Sequence, residues 1–164
     1  RLGSGISRLR NEDALCEALA QQGVDIVFPE MLRFPELVRL LSERRMVLGT
    51  AGSAFHTAVF AAPRRRVLAL NWTPPVHANF PLLDALNGTQ ARYYFVPGST
   101  TGDEPGFHFG WSIPDPHAVA HEMIERANAF DSLDARDAAE DAARWRAKWI
   151  PGWKPVQRWL DRRL

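Results

Sequence analysis

Met46-Val47-Leu48-Gly49-Thr50-Ala51-Gly52-Ser53-Ala54-Phe55-His56 decides how this chain folds. A short apolar run ends in a turn of small residues, and a helical stretch from Ala54 to Ala62 follows it. Upstream, Phe34 to Arg45 places Leu37, Val38, Leu40 and Leu41 on one helical face. Before that, Val24-Asp25-Ile26-Val27-Phe28 is β-branched and bounded by Gly23 and Pro29, which predicts a buried strand. Asn11 to Gln22 carries Ala14, Leu15, Ala18 and Leu19 at helical spacing and stops at Gly23. Downstream, Val67-Leu68-Ala69-Leu70 is another strand. Alternation of short apolar strands with helices of ten or so residues predicts right-handed βαβ units, with strands near 24–28, 46–48, 66–70 and 92–96 parallel in one sheet and helices on both faces.

Beyond Asn71 the pattern loosens, because Pro74, Pro75, Pro81 and Asn87-Gly88 interrupt any long element before the aromatic strand Arg92 to Val96. Pro97 to Pro114 reads as a long loop holding Gly98, Gly102, Gly106 and Gly110. A loop of that length in a compact domain is usually functional. Asp115-Pro116 then opens a helix to about Phe130, with Asp115 as its cap. A helix from Asp134 to Trp149 and a short tail helix from Pro155 to Leu164 complete the reading. The domains expected are an α/β unit over 1–130 and a helical extension over 131–164, whose Trp145, Trp149, Trp153 and Trp159 resemble a docking surface.

The 164 residues suffice for one domain with a real core, and 46% apolar with 24% charged residues argues against disorder. Twenty basic and 19 acidic residues give a net charge of +1, so any basic site must be local. The single Cys16 excludes an internal disulfide framework and a cysteine zinc site, and no apolar run is long enough to span a bilayer. The opening on Arg1 and a polar Gly/Ser/Arg segment reads as a fragment or excised domain.

Three elements carry chemistry. The Gly49 to His56 turn joins a strand to a helix at the carboxyl edge of the sheet, where open α/β folds bind ligands. Gly52 permits close backbone approach and the helix start favours an anion such as a diphosphate; a plain tight turn that needs small residues is the alternative. Arg8-Leu9-Arg10-Asn11-Glu12 offers two guanidinium forks for phosphate oxygens. Asn11 or Ser7 alternatively caps the helix, with Glu12 suiting its dipole. Pro29-Glu30 follows the first strand, where a carboxylate can accept ribose hydroxyls or simply be an exposed acid. His117 and His121 stand at i and i+4 without a third ligand, so no metal site is expected. The aromatic run Phe107-His108-Phe109-Gly110-Trp111 reads more simply as burial than as a sugar cover.

Taken together, Arg-x-x-Asn-Glu from Arg8, the strand ending at Pro29-Glu30, Phe34-Pro35-Glu36-Leu37-Val38-Arg39-Leu40 and Val47 to Ala54 resemble glycosyltransferase family 61. Its bacterial members associated with capsule and lipopolysaccharide sugars are the nearest in pattern. The similarity runs from Arg8 to Asn71 and fades through Phe130. The resemblance implies a Rossmann-like, doubly wound parallel sheet that forms the C-terminal half of an inverting, GT-B-type transferase. A nucleotide-sugar donor would be its substrate and a glycan its acceptor. It would place Arg8, Asn11, Glu12, Glu30, Gly52 and Ser53 around the donor, with no metal or other cofactor. The implied location is cytoplasmic, at most peripheral to the inner membrane, with no nucleic-acid partner and no transmembrane segment. The acceptor-activating base would come from an N-terminal domain preceding Arg1, leaving the isolated fragment inactive. Within the chain, His56 or His108 would be the choice for that base. One departure stands out: many members carry His where this chain has Ala51. Rival readings are a non-catalytic nucleotide-binding or docking module and another two-domain cell-wall sugar enzyme such as an epimerase or pyruvyl transferase.

Overall fold

The computed structural model describes residues 7–103 and 109–130. The decisive stretch forms β2, Met46–Thr50, which pairs in parallel with β3, Arg66–Asn71, while β3 pairs in parallel with β4, Gln90–Phe95. In this sheet Met46, Arg66 and Gln90 stand in one register row, so the three strands begin at one edge and end together at the other. A second three-stranded sheet has the order β1-β6-β5. Its β1, Ser7–Leu9, runs parallel to β6, Phe109–Ser112, and β5, Thr100–Asp103, runs antiparallel to β6.

Two expectations fail here. Val24 to Phe28 lies outside both sheets, although Val24 and Ile26 pack against the core with the two-residue period of a strand. The segment has the side-chain pattern of a strand and no ladder partner. The glycine-rich stretch read as a loop instead contains β5 and β6.

Helices occupy both faces of the β2-β3-β4 sheet. On one face α1, Glu12–Gln21, packs beside α5, Pro116–Asn128. Their Leu15, Ala18, Leu19, Val119, Ala120 and Met123 share one buried cluster with Leu68 and Leu70 of β3 and with Leu9 and Trp111 of the other sheet. The other face carries α2, Phe34–Glu43, whose Leu41 forms a smaller cluster with Ala58 and Ala61, against which Leu37 and Val47 pack. This split follows the strand period: Leu68 and Leu70 point one way, and each fully buried leucine contributes ~1.5–3 kcal/mol. The fold is therefore α/β with parallel pairing.

The helix expected over 54–62 divides in two. Ser53–His56 forms the single turn α3, and Thr57–Phe60 continues as a 3-10 turn. A helix not expected from sequence, α4 at Asn79–Asn87, tolerates Pro81 in its first turn and stops at Gly88, whose φ of 64° is left-handed. Asp115 caps α5 as expected, accepting the N–H groups of His117 and Ala118 at 3.0 Å each. At the far end of α5, the Phe130 ring lies under the guanidinium groups of Arg66 and Arg92. Arg126 stacks on Tyr94, and both bind the Glu122 carboxylate. Burial acts to raise that carboxylate, but the bonds from Tyr94 and Arg126 outweigh it and hold it below the usual range.

Candidate functional site

The carboxyl edge of the β2-β3-β4 sheet is built from three short turns. After β2, the Ala51 N–H continues the ladder to the Leu70 carbonyl at 2.8 Å, and Gly52 then leads into α3. Gly52 has an extended backbone, φ −161°, and a side chain placed there would find only the Thr50 carbonyl, at 3.7 Å. The glycine that packing requires is Gly49, where an added carbon would meet the Phe55 ring at 3.0 Å. The space that a side chain at Gly52 would take is thus unfilled, while the one-turn α3 gives a weaker dipole than the long helix expected. The free N–H groups of its first residues are what remains to meet an anion.

At the end of β3, the buried Asn71 amide donates to the carbonyls of Thr73 at 2.8 Å and Pro75 at 3.1 Å, and the Thr73 hydroxyl donates to the Pro75 carbonyl at 2.8 Å. These bonds fix a turn that presents Trp72 at the edge, 36% exposed. Sequence reasoning passed over Asn71 and Trp72; the signal was their place directly after a strand and before Pro74-Pro75. After β4, Gly98 lies in the left-handed region, φ 82°, and its added carbon would stand 3.7 Å from Pro114 beyond β6. The carboxyl ends of the two sheets therefore adjoin.

At the β1-β6 end, Asn11 does not cap α1. Its amide donates to the Ile113 carbonyl at 2.8 Å and accepts the Ile113 N–H at 3.2 Å, tying the start of α1 to the segment after β6. Arg10 reaches across to the β5 carbonyl of Gly102 at 3.3 Å, and a side chain on Gly102 would stand 2.7 Å from the guanidinium. Arg8, two residues back inside β1, is exposed and pairs in register with Gly110. Glu12 begins α1.

The expected donor residues thus come from three places. Gly52 and Ser53 lie at the end of β2, and Asn11 and Glu12 lie beyond β1, with Arg8 inside that strand. Glu30 is exposed on the separate 3-10 turn Pro29–Met31. Among the described residues, no hydrogen bond or ion pair joins Arg8, Glu30 and Ser53 to one another.

His56 packs its ring against Phe80 of α4, centroids 4.9 Å apart, and its Nε2 is buried without a partner among the described residues. Phe80 in turn meets Tyr93, whose hydroxyl donates to Asp84 at 2.7 Å. Burial pushes the Asp84 carboxyl up to about 6 against the lowering effect of that bond, and burial together with Asp84 pushes the Tyr93 phenol up. His117 and His121 are exposed, and His121 faces Glu125 at 3.7 Å. Phe107 and His108, the tail helices and the four tail tryptophans lie outside the described residues, while Trp111 at the end of the same aromatic run is buried in the core, as expected.

Against this geometry the comparison with protein families is specific. Residues 1–68 match the family model described as Glycosyltransferase 61. The match spans β1 through the first half of β3 and holds every expected donor residue, so at family level it supports glycosyl transfer. No curated protein and no solved structure matches the chain. Among the described residues, no helix is long and apolar enough to cross a membrane.

Proposed function

We propose that the chain is the donor-binding part of an inverting glycosyltransferase of GT-B type, and that a nucleotide sugar docks along the carboxyl edge of its sheets. The observation that carries this reading is the glycosyltransferase 61 match over residues 1–68, the segment that contributes the Gly52-Ser53 turn, Glu30 and the Arg8 to Glu12 segment. The open space over Gly52 supports it, since a diphosphate needs backbone N–H groups that no side chain screens. In the proposed arrangement the N–H groups of the α3 turn and the guanidinium of Arg8 meet the diphosphate, and Glu30 accepts the ribose hydroxyls. Asn11 acts indirectly, by holding the start of α1 to Ile113.

Inverting transfer needs a base to take the acceptor proton and cationic or N–H donors to stabilise the departing diphosphate. The groups named here serve the second task. The base and the glycan acceptor are assigned to a second domain, and the bacterial capsule or lipopolysaccharide context follows from the pattern of residues 8–71. Calorimetric titration with nucleoside diphosphates and diphospho-sugars tests the reading: saturable binding of one nucleotide series is expected. A folded chain that ignores all of them is a docking module instead, which is the outcome that Ala51, in place of the family's His, would accompany.

A further inference from the structure

The opposite, amino edge of the β2-β3-β4 sheet carries a different chemistry. The register Met46↔Arg66↔Gln90 puts the residues preceding each strand on one rim. Those residues include Arg44 and Arg45 before β2 and Arg64 and Arg65 before β3. Hydrogen bonds lock the rim into one piece. The Asn87 amide donates to the carbonyls of Ala58 at 2.6 Å and Ala61 at 3.1 Å, and the Arg64 N–H reaches the Asn87 carbonyl at 3.4 Å. The Ser42 hydroxyl accepts the Ala62 N–H at 3.0 Å, and the Gln90 N–H bonds the Arg65 carbonyl at 2.8 Å.

Two apolar side chains stand out from this basic rim. Leu86, next to Asn87, is 75% exposed, and Phe60, between the two carbonyls that Asn87 holds, is 65% exposed. Phe60 is edge-to-face with Phe34, the first residue of α2 and itself 55% exposed. Little acid balances the arginines. Asp25 pairs with Arg44 at 2.9 Å and Glu43 reaches Arg39 at 3.9 Å, while Arg45, Arg64 and Arg65 have no acidic partner among the described residues. Arg64 is held with a left-handed φ of 59°, a conformation that a non-glycine residue keeps only where its surroundings fix it.

We propose that this amino-edge rim docks the protein on an anionic lipid bilayer, with the exposed Arg45 and Arg64 at the headgroup phosphates and Phe60 and Leu86 inserted at the acyl boundary. Charge complementarity selects the occupant. Two exposed, unbalanced arginines, Arg45 and Arg64, favour an anionic surface, and the exposed Phe60 and Leu86 on the same rim fit the apolar layer just beneath headgroups. Nucleic acid shares the phosphate chemistry but offers no comparable partner for an aliphatic side chain such as Leu86. The proposal is independent of the donor reading, because it uses the other edge of the sheet.

Flotation of the full chain with vesicles tests it, comparing pure phosphatidylcholine with a 4:1 mixture, about 20% phosphatidylserine, as probes of surface charge. Partition into the anionic vesicles only, falling as salt is raised, is expected from the unaltered chain. Arg45→Glu and Arg64→Glu should each lower partition at least about fivefold, and Phe60→Ser with Leu86→Ser should lower it without abolishing its salt dependence. Circular dichroism of each variant checks the fold, and the salt titration of the unaltered chain needs no variant. Equal binding to neutral vesicles, no binding to either, insensitivity to the folded variants, or capture of an oligonucleotide in preference to vesicles would each overturn the proposal.

Discussion

Two glycines three residues apart separate fold from ligand, and replacing each by valine tests the donor edge. At Gly49 a side chain would meet the Phe55 ring at 3.0 and 3.4 Å, tighter than ordinary contact, and the ring is half-buried. Overpacking of this kind costs about 1–3 kcal/mol, so Gly49→Val should lower the melting temperature by several degrees whether or not any ligand exists. Gly52 presents the opposite case. Its backbone is extended, φ −161°, and the nearest atom to an added carbon is the Thr50 carbonyl at 3.7 Å. Valine there should leave stability unchanged or raise it by a few tenths of a kcal/mol, since it restricts the unfolded chain. If a diphosphate occupies the space over Gly52, the branched side chain displaces it from the α3 N–H groups. Losing one hydrogen bond to a charged group, worth about 1.5–3 kcal/mol, weakens binding at least ~10-fold. Calorimetric titration of nucleoside diphosphate into both variants, with thermal melts alongside, gives both numbers. Unchanged diphosphate affinity in a folded Gly52→Val chain would refute the assignment of this turn. Loss of stability in Gly52→Val would refute the packing argument itself.

Asn11→Ala should destabilise the fold by roughly 1–3 kcal/mol for each Ile113 backbone group left unpaired, read as a lower denaturation midpoint. Asn11→Asp should cost at least as much, because a carboxylate cannot donate to the Ile113 carbonyl. Burial raises the folded-state Asp84 carboxyl from 3.8 to about 6, so the folded chain holds that proton more tightly than the unfolded chain does. This contribution to stability is present below pH 3.8 and is lost as pH rises through about 6; Asp84→Asn should flatten the stability profile across that window.

How much of this was legible depends on whether local sequence holds the deciding partner. The strands 46–50, 66–71 and 90–95 announced themselves because each is an apolar or aromatic run stopped by a turn, and parallel pairing follows from the helices between them. Val24 to Phe28 misled for the converse reason. Its alternation is strand-like and its inward residues do pack, but a ladder needs a neighbour with free backbone groups, which no local signal reports. Gly102 and Gly110 looked like loop residues. In the structure they pair with each other across β5 and β6, and Gly102 leaves room for Arg10 to lie across the sheet. Pro81 hid α4, since a proline weighs against a helix from outside but is harmless in a first turn. Asn11 was read as a cap because its neighbours in sequence were visible and its partner, Ile113, lies 102 residues away. The expected donor residues were legible as types, but of them only Gly52 and Ser53 directly follow a strand of the β2-β3-β4 sheet, and their grouping depends on how two sheets adjoin.

The two edges also predict independence between donor binding and membrane docking, and the expected independence has a calculable limit. β3 has six residues at ~3.3 Å each, so the amino-edge arginines and the Gly52 turn stand about 20 Å apart. Reversing Arg45 and Arg64 changes the rim by four charges, and at that separation in unscreened water a doubly charged diphosphate feels about 1.6 kcal/mol less attraction. At physiological salt the Debye length is about 8 Å, which cuts the effect to ~0.1 kcal/mol, a change in affinity too small to measure. At 0.01 M salt the Debye length is about 30 Å, and about half of the interaction survives, enough for a roughly fourfold loss. The double variant Arg45→Glu, Arg64→Glu should therefore bind diphosphate normally at 0.15 M salt and about fourfold more weakly at 0.01 M. A large loss at 0.15 M would mean that the arginines touch the donor or that docking and donor binding share one conformational change. Either result would move the anion site from the carboxyl to the amino edge, or join the two, and neither is compatible with a ligand held over Gly52 alone.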